Sequence, residues 1–221
     1  FSIELPQSIL LMDLSVNKMI NSPNSWKESL NQIKGELSFD EKVRLTSYLG
    51  GRFGSDYDSG RAADGLSATG VISIEKMLEN LSNGKPGGIC RDMTLAQSKI
   101  LQQLGVDKDN IYQMSYAVAK GHHAVVVVQD PNDPTKIVKI NYDLVQTNEN
   151  VSGGSSLYQD GILADTGIVY RIYDADGKPV DKVPSEIGKI FREVTGYNDR
   201  IDQGVNSYNL TKTTVRSRWV D

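Results

Sequence analysis

Thiols are almost absent from this chain: its 221 residues contain a single cysteine, Cys90. A lone thiol excludes an internal disulfide, so burial of apolar surface must hold the fold, and cysteine usage leaves the compartment open. Imidazoles are nearly as scarce, with His122 and His123 the only two. A strong excess of one charge is missing too. With 24 Lys and Arg against 28 Asp and Glu, the net charge is −4. That gives no field that seeks phosphate, and no nucleic-acid partner is expected. Long hydrophobic runs are also lacking. The longest aliphatic stretch, Ala124-Val125-Val126-Val127-Val128, falls far short of the roughly 20 residues a membrane-spanning helix needs. Internal repeats and low-complexity tracts are absent. The chain starts at Phe1 without a charged leader, apolar segment and cleavage site, which reads as a processed or excised sequence.

What is present is enough for a core. Hydrophobic residues make up 38% of the chain, too many for a segment built to stay disordered. The length suits one large or two small domains. Abundant Asn, Ser, Thr and Tyr lean towards an exported protein, periplasmic or extracellular.

The first third reads as helical. Ile9, Leu10, Met12, Leu14, Val16, Met19 and Ile20 recur at roughly helical intervals, and Trp26, Leu30, Ile33 and Leu37 follow at four, three and four. Ser38 with Glu41 is a capping-box pattern opening a helix over Phe39 to Leu49, which Gly50-Gly51 should stop. Arg52 to Gly70 reads as loop. A short helix is expected from Ser73 to Leu81, and another from Cys90, with Met93, Ala96, Ile100 and Leu104 on one face and Gly105 as its cap.

Beyond Gly105 the character changes to strands. Asn110 to Ala119, His123 to Gln129 and Lys136 to Leu144 are rich in β-branched and aromatic residues. Asp130-Pro131-Asn132-Asp133-Pro134 is turn chemistry that joins the last two as an antiparallel pair. Ser152 to Ser156 reads as a joint. Gly167 to Tyr173 and Lys178 to Val183 form a second hairpin around Asp174-Ala175-Asp176-Gly177. A short helix over Pro184 to Val194 and an extended tail over Tyr208 to Val220 complete the chain. Helices first and antiparallel strands afterwards argue for an α+β fold. Three regions are expected: a helical N-terminal region over 1–70, a core over 71–150, and a strand-rich extension over 151–221 packed on that core.

Chemistry concentrates around the one thiol. Gly87-Gly88-Ile89-Cys90 places it where a glycine turn becomes a helix, and a helix N-terminus favours thiolate over thiol. A free cysteine is more often a small buried hydrophobe. A reactive one needs a base, and only His122 and His123 are available. Neighbouring strand residues point to opposite faces, so at most one of them can meet Cys90. Counting from the valines does not settle which, because a strand covered on both faces shows no alternation. The base needs an orienting group. Asn141 and Asp143, two apart and on one face of a strand, are both candidates. Two acidic groupings offer decoys. Asp174-Ala175-Asp176-Gly177 lacks the twelfth-position Glu of a calcium loop, and Ser55 to Gly60 lacks a His or Cys partner. No metal site is read from either, and no cofactor is implied.

Taken together, these residues resemble the transglutaminase-like superfamily of papain-type cysteine enzymes. The likeness rests on Gly88-Ile89-Cys90-Arg91-Asp92 opening an amphipathic helix that closes with Leu104-Gly105. It continues with His123-Ala124-Val125 opening a strand and Asp143 ending the next. It covers roughly Ile72 to Leu144. The resemblance implies a papain-like core of helices on an antiparallel sheet, with Cys90 as nucleophile, His123 as general base and Asp143 as the group that holds it. The small residue after the family's histidine matches Ala124, which selects His123. Departures are the valines Val125-Val126, where the family often has an aromatic residue, and the lack of a recognisable second oxyanion donor beside the Cys90 N–H. By analogy with bacterial members, the expected function is a cysteine protease or amidase, or an acyltransferase of transglutaminase type. It would act on a peptide or protein amide through a thioester. The alternative is an inactive member serving as a binding or scaffold module. Arylamine-type acyl transfer would need a cofactor pocket that no sequence element builds. Oligomeric state is not written in these residues.

Overall fold

The four apolar residues Met12, Val16, Met19 and Ile20 form one buried stripe on helix α1 (Gln7–Asn21), while Leu14 falls off that stripe and is exposed. This computed structural model describes residues 7–52, 71–118, 121–147, 169–180, 183–184 and 186–187. The expected loop from Arg52 to Gly70 apart from Arg52, which is helical, the joint at 152–156, most of the helix over 184–194 and the tail over 208–220 lie outside them. Trp26, Leu30, Ile33 and Leu37 are all buried, but only Trp26–Asn31 is an α-helix (α2). The rest of that periodic stretch is a 3₁₀ turn around Gly35, which keeps the inward spacing while the chain changes direction.

Helix α3 spans Phe39–Arg52 and opens with the reciprocal Ser38–Glu41 bonds that the sequence suggests. Gly50-Gly51 does not stop it. The helix runs through both, and a Cβ on Gly50 would collide with the Tyr142 carbonyl. Its small size serves a close approach of backbone to backbone, not termination. Ser73 caps α4 (Ile74–Ser82) by accepting from the Lys76 N–H. Helix α5 covers Cys90–Gln103, and Gly105 follows in a left-handed conformation.

Among the described residues all strands pair antiparallel in one five-stranded sheet of order β4-β3-β2-β1-β5. They are β1 (Ile111–Val118), β2 (Gly121–Asp130), β3 (Asp133–Asn141), β4 (Leu144–Thr147) and β5 (Val169–Asp174). The fold is α+β. The expected single strand over Lys136 to Leu144 is divided: β3 ends at Asn141, Tyr142-Asp143 make a turn, and Leu144 opens β4. Tyr142 takes a positive φ of 54°, which no continuing strand accommodates. Of the hairpin expected after β5, the described residues show the turn and one bridge, Tyr173 to Pro179; Asp174 closes it, its carboxylate accepting from the N–H groups of Asp176 and Lys178. That decoy carboxylate serves its own turn.

Helix α5 lies between two cores. Met93, Ala96, Ile100 and Leu104 join residues of α1 to α4 in one cluster. Leu101 joins Val43 of α3 and Ile111, Val126, Val128, Val138 and Ile140 of the sheet in another. Val126 and Val128 of β2 therefore face α3 and α5. Val125 and Val127, of the other parity, are buried as well, so the strand shows no alternation.

Candidate active site

Cys90 is the first residue of α5, preceded by an extended N-cap, Ile89. The turn is fixed by Asp92. One carboxylate oxygen accepts from the Ile89 N–H at 2.9 Å and the other from the Ile72 N–H at 3.0 Å. This is the glutamate-like half of a capping box, since Ile89 has no acceptor to supply the other half. Gly88 makes room for it: φ is +148°, and a Cβ there would strike the Asp92 carboxylate. The Thr94 hydroxyl donates to the Cys90 carbonyl at 2.8 Å. Cys90 itself is 1% exposed, and Arg91, Asp92 and Thr94 around it are buried too. Charged side chains are rarely buried without a purpose, so this first turn is a built polar environment. The N–H groups of Asp92 and Met93 both donate to the Ile89 carbonyl, at 3.0 and 3.2 Å, which closes the first turn on the residue before Cys90.

Cys90, Thr94, Gln97, Ser98 and Leu101 recur at helical spacing and define the sheet-facing side of α5. Gln97 donates to the Tyr142 carbonyl, Ser98 to the Ala175 carbonyl, and Leu101 packs on the strands. The height of Cys90 over the sheet follows from a shared acceptor. Ser98 and Gln113 of β1 both donate to the Ala175 carbonyl, at 2.6 and 3.3 Å. Helix α5 and β1 are antiparallel neighbours joined through Gly105. Eight residues back from Ser98 to Cys90 cover about 12 Å of helix. The same distance along β1 is three to four residues, which reaches Tyr116 and Ala117. Their partners on β2 are His123 and His122. The thiol and the histidine rungs thus lie at the same end of the fold.

Register separates the two histidine positions. His122 pairs with Ala117 and has the parity of Val126 and Val128. His123 pairs with Tyr116 and has the parity of Val125 and Val127. The side chains of both lie outside the described residues. The β2–β3 ladder pairs Val126 with Ile140. Continued three residues each way, it would set His123 level with Asp143, a rung at which β3 has already turned away.

No family model matches this chain, and no curated protein matches it in sequence. The site therefore stands on geometry. Asp143 is exposed in the β3–β4 turn beside Gly51 of α3. Asn141 is buried at the end of β3, with the parity of Ile137 and Lys139. The expectation that Asn141 and Asp143 share one strand face does not hold, because the left-handed Tyr142 re-aims the chain between them. Among the described residues no group of three His, Cys, Asp or Glu could hold a metal, and no helix is long and apolar enough to cross a membrane. Sequence reasoning did not name Gln97, and it named Asp92 and Gly50 without the contacts they make. The available signal was the run of polar residues at Cys90, Thr94, Gln97 and Ser98, one stripe of a helix whose other stripe is wholly apolar.

Proposed function

We propose that this chain is a cysteine-nucleophile amide hydrolase or acyltransferase on a transglutaminase-like core. What supports the reading is Cys90 at the polar first turn of α5, a helix packed against β1 and β2, with His122 and His123 in the opening residues of β2. The Cys90 sulfur attacks the carbonyl carbon of a peptide or protein amide. The Cys90 N–H faces the oxyanion, and an imidazole from β2 passes a proton to the departing amine, leaving a thioester. Water or a second amine then takes the acyl group and returns the thiol. Asp143 is the group that orients the base. The resemblance selects His123 as that base.

Native protein mixed with iodoacetamide near neutral pH tests this. Cys90 should label rapidly, and whichever of His123→Ala and His122→Ala slows it by about tenfold or more identifies the base. The second reading, a binding or scaffold module without turnover, is favoured by the near-complete burial of Cys90. Labelling only after denaturation would establish that reading and remove the enzyme.

A further inference from the structure

Tyr142 is, among the described residues, the one non-glycine residue with a positive φ. Such a conformation persists only where the surroundings over-determine it. Here two helices do so. Gln97 of α5, 1% exposed, donates its side-chain amide to the Tyr142 carbonyl at 2.9 Å and to the Thr46 carbonyl of α3 at 3.2 Å. Both partners are acceptors, so the amide orientation is unambiguous. From the other side, Gly50 of α3 leaves the space that the same Tyr142 carbonyl fills. The next residue is Asp143.

We infer that Gln97 is a positioning residue: by clamping the Tyr142 carbonyl between α5 and α3, it fixes the Asp143 turn relative to the helix that carries Cys90. Gln97 lies seven residues from Cys90 on the same stripe, so thiol and carboxylate are referenced to one rigid element. This rests on the amide-chemistry reading above. It adds to that reading a buried amide that touches neither substrate nor thiol yet sets where the orienting carboxylate stands. A buried glutamine with a purely structural role would bond the same carbonyls but leave the chemistry of Cys90 untouched.

The test is the pH profile of iodoacetamide labelling at native Cys90, with a melting curve for each variant. Gln97→Met keeps the volume and removes both donors. It should move the apparent pKa of labelling up by about one pH unit or more, in the direction of Asp143→Asn. The double variant should shift no further than the larger single, since both act through one group. A Gln97→Met protein that melts earlier but keeps the wild-type profile overturns the inference and leaves the enzyme reading standing. Should Gln97→Met not fold, Gly50→Ala pushes the same carbonyl from α3 and must reproduce the Asp143→Asn shift. A folded Gly50→Ala with the wild-type profile is equally fatal. If wild-type Cys90 labels only when denatured, the amide-chemistry reading fails before any variant is made, and the Gln97 role falls with it.

Discussion

The two sides of α5 are built from opposite materials. Towards the helices it presents Met93, Ala96, Ile100 and Leu104, and towards the sheet Cys90, Thr94, Gln97 and Ser98 before Leu101. Each large apolar side chain buried on the first side is worth roughly 1.5–3 kcal/mol and has no preferred direction. Each hydrogen bond on the second is worth about 0.5–1.5 kcal/mol net but fixes a distance and an angle. The apolar side decides how firmly α5 is held. The polar side decides where the β3–β4 turn and the β5 turn sit relative to Cys90, through the Tyr142 and Ala175 carbonyls.

The largest effect that should break this division comes from Ile100→Ala. Ile100 is fully buried among the helices, and the cavity should cost about 2–5 kcal/mol, read from chemical denaturation. The protein that remains folded should label Cys90 with the wild-type pH profile. Asp92→Asn should do the reverse. One of the two N–H groups held by Asp92 loses its acceptor, costing about 1–3 kcal/mol, yet native labelling of Cys90 should change because its turn is released. If Ile100→Ala shifts the profile as far as Asp92→Asn does, the two sides of α5 are not separable.

Much of the fold was legible because it follows local rules. The helix starts at Ser38 and Ser73 are side-chain caps, and Pro131-Asn132 closes a hairpin whose strands lie within a few residues. What was illegible depends on distant partners. Gly50 looks like a helix stop until the Tyr142 carbonyl arrives from far along the chain. Lys139-Ile140-Asn141-Tyr142-Asp143 alternates like a strand, and nothing local marks a tyrosine for a left-handed turn that glycine or asparagine would normally take. The site was legible as a set of residue types. The choice between His122 and His123 was not, because parity becomes meaningful only once the rungs Tyr116–His123 and Ala117–His122 are known.

The smallest effect supplies the acid baseline that the labelling experiments need. Glu75 of α4 accepts from the Trp26 indole N–H at 2.9 Å. That bond, more than its own backbone N–H or the nearby Lys99 and Lys27, holds the carboxyl below the usual carboxylate range, against partial burial that pushes it up. A depressed carboxylate binds its proton more tightly in the unfolded chain, so its contribution is present above the unfolded pKa and lost as pH falls through the folded one. Glu75→Gln keeps an acceptor for Trp26 but removes the titration. Stability at neutral pH should fall by well under about 1 kcal/mol, as for a solvent-screened group, and its decline below about pH 4.5 should become shallower. Since Glu75 lies on neither side of α5, the labelling profile of Cys90 should not move. A shift there would mean that losses of labelling in acid report loosening of the helical layer and not protonation at the thiol.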